Sequence, residues 1–361
     1  MSDQTPGPSR AERSRRVERR WRVQAVVVAV LIAALIGVAA IASGGNTPTP
    51  TPAPSPTTGA SPGSGPSQLL ALAVTGAPNA LLATVGTGGG VESAAVIVPP
   101  AMTVVMPGAG EIPSEQLRDL DGPSMRIGVS NVVGAWNDHY AVMSLEQLGT
   151  LVDQLGGLEV DLQDIYPSGG EVLGPGQTHL NGAQVTALLG EPADDTAARL
   201  ADVLTALLAA QPHLSATDFA DTDDDRAAAT ILGSGPALVE IMPTVVVGST
   251  TIPAQPDLDQ RMTALFGTTP PARAEVQNGN GEPGIGASVG ALLIPAGFRI
   301  VLSTNADTFD HQTTQIISDG PENAQAAQEA KDALGVGKVI VSQIPSGAAD
   351  VTVIVGHDFH A

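Results

Sequence analysis

Apolar and polar positions divide the chain into three regimes. Residues 25–42 (AVVVAVLIAALIGVAAIA) carry no polar side chain. Residues 43–66 show no apolar period at all and are built on alternating Thr-Pro, Gly and Ser. From Ser67 onward, short apolar runs bounded by Gly and Pro alternate with helical stripes. Residues 69–74, 81–85, 94–98 and 103–106 read as buried strands. Ser144 with Gln147 three residues later forms a capping box before Leu145, Leu148, Leu151, Val152 and Leu155, and Gly156-Gly157 ends that helix. Residues 158–162 form the next strand. A helix begins at Asn181-Gly182, and another from Thr196 carries Leu200, Val203, Leu204, Leu207 and Leu208 on one face.

After Pro270-Pro271 the period changes. Ala272, Ala274 and Val276 alternate with Arg273, Glu275 and Gln277, which predicts a strand with one buried face. A glycine-rich loop leads into a helix with Ile285, Val289, Leu292, Leu293 and Ala296 on one stripe, closed by Gly297 at its C′ position. Residues 298–302 are the next strand, so strand, helix and strand should form a right-handed βαβ unit with parallel strands. Pro321 opens a helix that ends before Gly335, and residues 339–341 and 351–355 supply later strands. The fold class is α/β: a mixed α/β domain over 67–267, then a small α/β sandwich over 272–360.

The first regime sets the topology. Eighteen residues at about 1.5 Å each cover about 27 Å, close to the roughly 30 Å hydrocarbon core of a bilayer. Seven arginines precede the run and none follows until Arg118, so residues 1–24 form a basic cytoplasmic tail and the main domains are extracytoplasmic. The expected localisation is the cell membrane, as a single-pass anchor with the N-terminus inside. Ala40-Ile41-Ala42 before Ser43 also has the form of a signal-peptidase site, but the run exceeds the 7–15 residues of a secretory h-region. Residues 43–66 form a Pro/Thr/Gly/Ser-rich linker, extended at about 3.1 Å per residue where proline dominates.

Charge then narrows the partners. Nine basic and thirty-four acidic residues follow the run, a formal charge of −25. Such a field repels phosphate backbones, so nucleic acid is excluded as a partner. The chain has no cysteine, which removes disulfides, thiol chemistry and Cys-based metal sites. Nine aromatic residues in 361 leave few platforms for stacking sugars or bases.

Three local patterns invite chemistry. Gly279-Asn280-Gly281-Glu282-Pro283-Gly284 satisfies G-x-G-x-x-G between a strand and a helix, with Asp307 about twenty residues on. A carboxylate at Glu282 and the short unit count against a dinucleotide, and tight turning explains the glycines. Asn278, Gly279, Asn280, Gly281 and Gly284 are the candidate ligand-binding loop, whose backbone amides at a helix start would suit a carboxylate such as that of a stem peptide. Asp221-Thr222-Asp223-Asp224-Asp225 begins like a calcium loop, then places Arg226 where Gly is required and Leu232 where Glu is required. It reads as a solvated acidic helix cap. His357, Asp358 and His360 crowd a terminus without fixed geometry, so no metal site is expected.

The segment Trp136-Asn137-Asp138-His139-Tyr140-Ala141-Val142, continuing through Leu151-Val152-Asp153-Gln154-Leu155-Gly156-Gly157-Leu158, resembles the central stretch of the LytR-CpsA-Psr (LCP) family. Gly176-Gln177-Thr178-His179-Leu180-Asn181-Gly182 resembles that family's approach to its active-site helix. Val276-Gln277-Asn278-Gly279-Asn280-Gly281, Ala296-Gly297-Phe298 and Val351-Thr352-Val353-Ile354-Val355-Gly356-His357 are similar to the LytR C-terminal domain of actinobacterial proteins. The resemblance implies transfer of a polymer from polyprenyl pyrophosphate to peptidoglycan, with arginines on the pyrophosphate and carboxylates on magnesium. The residues depart from that pattern. Asn79 stands at the first acidic position, Val98-Pro99-Pro100-Ala101 replaces "iPRD", and Gly190, Pro192 and Thr196 replace arginines. Arg199 is the remnant phosphate contact.

The expected function is therefore a non-catalytic cell-envelope protein, an LCP-like pseudoenzyme acting in cell-wall or surface-polymer assembly by binding. No catalytic residue and no cofactor is assigned. Its expected partners are the membrane, peptidoglycan or wall-polymer precursors, and envelope proteins. Two alternatives stand. An active phosphotransferase would use magnesium and bring Arg118, Arg126 and Arg199 together in one apolar groove. A lipid or precursor carrier would need a sizeable apolar cavity.

Overall fold

The computed structural model describes residues 68–77, 81–88, 91–168, 171–210, 223–235, 237–343 and 347–360. The basic tail, the apolar run, the linker, Asn79, Asp221 and Thr222 lie outside them. Among the described residues no helix is long and apolar enough to cross a membrane.

The first unit is a three-layer sandwich. Its sheet has the order β11-β3-β2-β1-β6, from β1 (Gln68–Thr75), β2 (Leu81–Gly88), β3 (Val91–Val98), β6 (His139–Ser144) and β11 (Leu238–Ile241). β2 runs antiparallel to β1 and β3, while β1–β6 and β3–β11 are parallel. β1 reads as a continuous apolar run because both faces are covered. Leu70, Leu72 and Val74 pack beneath helices α2 (Leu145–Gln154), α3 (Gly182–Gly190), α4 (Thr196–Ala209) and α5 (Asp223–Leu232). Leu69, Ala71 and Ala73 face α1 (Gly122–Val133), α6 (Gln255–Phe266) and the 3₁₀ turn Ser114–Asp119. Small hairpins, β4–β5 (Thr103–Met106, Gly110–Pro113) and β12–β13 (Thr244–Val247, Thr250–Pro253), and the β7–β10 pair (Leu158–Leu162, Gly176–Leu180) decorate this frame.

Local signals place the helices. The Ser144–Gln147 capping box forms in both directions, and Asn181 with Gln184 forms a second one. The acidic cap before α5 departs from expectation: Asp225 is buried, and Asp224 Oδ1 meets His139 Nδ1 at 3.0 Å. Asp224 is fastened to β6 and Asp225 is buried, where solvated carboxylates were expected.

The C-terminal unit is two-layered. Its sheet runs β15-β14-β18-β16-β17, from β14 (Ala272–Asn278), β15 (Phe298–Asn305), β16 (Gln315–Ser318), β17 (Lys338–Val341) and β18 (Val351–Val355). β14 and β15 are parallel, as the strand–helix–strand pattern predicts. Helices α7 (Ile285–Leu293) and α8 (Ala324–Leu334) cover one face, with Ala274, Val276, Ile300, Val351, Val353 and Val355 among the residues beneath them. Two expectations shift here. α7 stops at Leu293, and Gly297 closes the following turn through its N–H to Ile294 O instead of serving as C′. Pro321 opens a single 3₁₀ turn before the α-helical part begins at Ala324.

The two units share a buried seam. Asn131, three residues before the end of the α1 cap at Gly134, donates from Nδ2 to Val105 O (2.9 Å) and Ile300 O (3.0 Å), and its Oδ1 accepts from Ile300 N (2.7 Å). Arg299 donates from Nε to Asn131 O (3.3 Å) and from Nη2 to Asp259 Oδ1 (2.8 Å). Val105, Ile127 and Trp136 of the first unit pack against the C-terminal core. The turn at Pro107-Gly108 enters a notch in α7, where a Cβ on Gly290 would sit 2.5 Å from Pro107 Cβ.

Gly134 has φ +72, and a Cβ there would stand 1.8 Å from Arg299 Nη2. Gly134→Ala combines left-handed strain with a forced retreat of a buried guanidinium. It should cost about 2–3 kcal/mol, read as a thermal midpoint lowered by roughly 4–10 °C in calorimetry. Gly156→Ala, also at positive φ but with open space around the Cβ, should cost less than half as much.

Candidate functional site

The loop between β14 and α7 is built to hold itself. Asn278 Oδ1 accepts from Asn280 N (3.3 Å) and Gly281 N (2.8 Å), and its Nδ2 donates to Glu282 O (2.9 Å). Asn280 Oδ1 accepts from Glu282 N (2.9 Å), and its Nδ2 reaches Gly356 O at 3.2 Å. Both carboxamides are thus spent on the backbone of the loop and its neighbour. The glycines answer to packing. A Cβ on Gly279 would fall 2.7 Å from Val355 O, and Phe309 lies over Gly281 with φ +79. Gly284, at φ +82, starts α7 without any side-chain cap. Asp307 lies two residues past the end of β15.

Beside the loop, His311 N donates to Gly279 O and His357 N to His311 O, which tie three segments together at the ends of the parallel strands. Asp358 Oδ1 accepts from Thr314 N and Thr314 Oγ1, each at 2.7 Å, so this carboxylate braces the fold. Among the described residues no three His, Asp or Glu side chains are placed to share a metal ion. The Asp310 carboxyl is held below its ordinary range, first by the Thr308 hydroxyl and then by a backbone N–H.

The three arginines go to different places. Arg118 Nη1 donates to Ala77 O at 2.5 Å, beyond the C-terminal end of β1. Arg126 Nη1 donates to Asp138 O, beside the N-terminal end of β1, where Asp138 Oδ2 accepts from Leu69 N. Eight residues of strand at about 3.3 Å each put those two anchor points more than 20 Å apart. The Arg126 guanidinium also sits 4.7 Å from the Trp136 ring centre and 5.7 Å from that of Tyr140. Arg199 lies on the other helical layer, buried, with Nε on Asp195 Oδ1 (2.9 Å), Nη1 on Leu188 O (3.1 Å) and its plane over Tyr166 at 4.9 Å. The polar groups around each guanidinium come from the fold itself.

The turn at Val98-Pro99-Pro100-Ala101 keeps a left-handed residue, Ala101 at φ 59, a conformation that Asp and Asn tolerate better than Ala. Its N–H is taken by Glu115 Oε2 at 3.0 Å. The motif around Trp136 is equally structural. Asn137 is fully buried, with its N–H and Nδ2 on Ser130 Oγ.

Sequence reasoning missed a carboxylate in this region. Asp202, on α4 one turn beyond Arg199, has a buried Oδ2 without a hydrogen-bond partner among the described residues. Burial pushes its carboxyl above the ordinary value, opposed by the Gln163 N–H and reinforced by Asp161. Burial likewise raises the Tyr166 phenol, aided by Asp202, Asp195 and Asp164 and opposed by Arg199. Asp202 falls on the helix face away from the stripe of Leu200, Val203, Leu204, Leu207 and Leu208, so helical spacing carried no signal of its burial.

A cavity of about 20 Å³ lies among the same helices, lined by apolar side chains such as Leu72, Val74, Met143, Leu148, Val203 and Leu207. It has room for about one water molecule and no polar group to hold it.

Residues 272–359 match the family model LytR_C, described as LytR cell envelope-related transcriptional attenuator. The chain carries a LytR C-terminal domain. No curated protein matches the chain. Solved structures match 56–58% of the chain at low identity. TagV of B. subtilis gives a TM-score of 0.44 at 14% identity over 57% of this chain and 99% of that one. A LytR-Csp2A-Psr enzyme from Actinomyces oris gives 0.44 at 21% over 58% and 93%. The LytR-CPS2A-psr family protein TagT with bound octaprenyl pyrophosphate lipid gives 0.44 at 14% over 56% and 91%. The LytR_C match spans the two-layered unit that holds the candidate loop.

The raised Asp202 carboxyl has a consequence for stability. Its folded pKa exceeds the unfolded one, so the folded state keeps the proton longer, and stability falls as pH rises from the ordinary carboxylate range through the raised value. Asp202→Asn should remove that loss. Its thermal midpoint should exceed wild type at neutral pH and the two curves should converge in acid, measured by calorimetry from pH 3 to 8.

Proposed function

We propose that the chain is a membrane-anchored, non-catalytic component of the cell envelope that acts in wall or surface-polymer assembly by binding. The observation that carries this reading is the LytR_C match over residues 272–359, a domain named for its envelope relation. The separation of the three arginines supports the non-catalytic part. Arg118 and Arg126 contact opposite ends of β1, and Arg199 is buried in an ion pair with Asp195. A pyrophosphate needs several fixed cations around one point, with a divalent ion to carry the leaving charge. Wall-polymer precursors and peptidoglycan are the proposed partners, and the −25 charge after the apolar run keeps nucleic acid out of the set.

The carrier alternative finds no room at the apolar cavity between the sheet and α4. Ligand pockets commonly run to about 300 Å³ or more, and this one holds about 20 Å³.

Titration calorimetry of the full chain in detergent tests the central point, with magnesium and a short polyprenyl pyrophosphate as probes. The expected result is no magnesium-dependent heat, alongside measurable retention on purified peptidoglycan. Magnesium-dependent binding would replace this reading with the transferase. The proposed topology has a separate check, since the natural chain has no cysteine. Ser67→Cys should be labelled by a membrane-impermeant maleimide on intact cells, and Ser2→Cys only after lysis.

A further inference from the structure

β15 is the outermost strand on one side of the C-terminal sheet, so among the described residues the backbone groups on its outer side have no strand to pair with. Uncovered edges of this kind are templates for other chains. Here one side chain takes the place of the missing strand. The Asn131 carboxamide exchanges two bonds with one residue: Ile300 N donates to Oδ1 at 2.7 Å, and Nδ2 donates to Ile300 O at 3.0 Å. That is the pairing an opposing strand residue makes in an antiparallel ladder. The second proton of Nδ2 goes to Val105 O of β4, so the amide is saturated and buried, with Asn131 only 3% exposed.

Side chains of β15 tie the strand to the first unit on either side of Ile300. Val301 is skipped in the pairing with β14, a bulge that bends the strand just after Ile300. Beyond it, Ser303 Oγ accepts from Gly108 N at 3.1 Å. Before it, Arg299 turns toward the first unit and donates to Asn131 O, a carbonyl in the last turn of α1 where a cation is favoured.

We propose that Asn131 is a strand substitute, an intramolecular latch that closes the β15 edge, locks the two units into one body and withholds that edge from any other extended segment. Hydrogen–deuterium exchange on the full chain in detergent tests it, comparing backbone amides of residues 298–303 with those of 351–355. In the wild type both segments should be protected. Asn131→Ala should speed exchange of 298–303 at least tenfold and leave 351–355 within twofold. Asn131→Asp keeps the shape and the acceptor but loses both donated bonds, and should fall between. Unchanged protection of 298–303 in Asn131→Ala would overturn the latch. So would equal loss over both segments, which would make Asn131 a general support of the domain, or wild-type exchange at 298–303 as fast as in a free edge.

Discussion

The arrangement of the two units depends on polar groups removed from water and satisfied only by each other. Asn131 and Arg299 are 3% exposed each, and neither is paired within its own unit alone. Pulling the units apart would leave an amide, the Ile300 peptide and a guanidinium to find new partners. Groups of this kind contribute modestly when paired and are costly when orphaned. The seam therefore sets orientation more sharply than an apolar contact of the same size would. Trp136, Val105 and Ile127 provide the apolar part, and the notch in α7 fits one turn of the first unit.

That constraint has a functional consequence. Where the seam holds, the loop 278–284 is presented in a fixed attitude to the first unit rather than swinging on a tether. The loop is braced locally, because Asn278 and Asn280 accept the Asn280, Gly281 and Glu282 amides and Gly279 N donates to Val355 O. A ligand of the proposed binding loop would meet a preformed surface, with little ordering cost at the loop.

Legibility in the sequence followed the physics of each element. Ser144 and Gln147, the apolar stripe of α4 and the alternation along β14 were readable because periodicity and capping are local. The helix α1 was not, since its buried face includes Gly128, Ser130 and Asn131 and so carries no clear apolar period. That same polar content is what reaches the second unit. Asn131 joins residues 169 positions apart, a relation no local pattern encodes. Leu292 was placed on the buried stripe of α7 and is 41% exposed, because the notch that receives Pro107 and Gly108 turns the helix by its glycines instead.

The candidate site divides along the same line. The composition of Gly279–Gly284 announced a turn at a helix start, and the turn is there; its partner surface, Phe309 and His311 from beyond β15, came from a part of the chain with no motif. Arg199 shows the opposite situation. The resemblance to the LCP pattern makes Arg199 a remnant phosphate contact, and in the fold its Nε pairs with Asp195, its Nη1 with Leu188 O and its guanidinium lies over Tyr166. A buried guanidinium must be neutralised, and Asp195, four residues earlier, does so with short reach and good geometry. An arginine that once could serve a ligand can in this way be retained by the fold, so its survival in a sequence is poor evidence that the ligand is still bound.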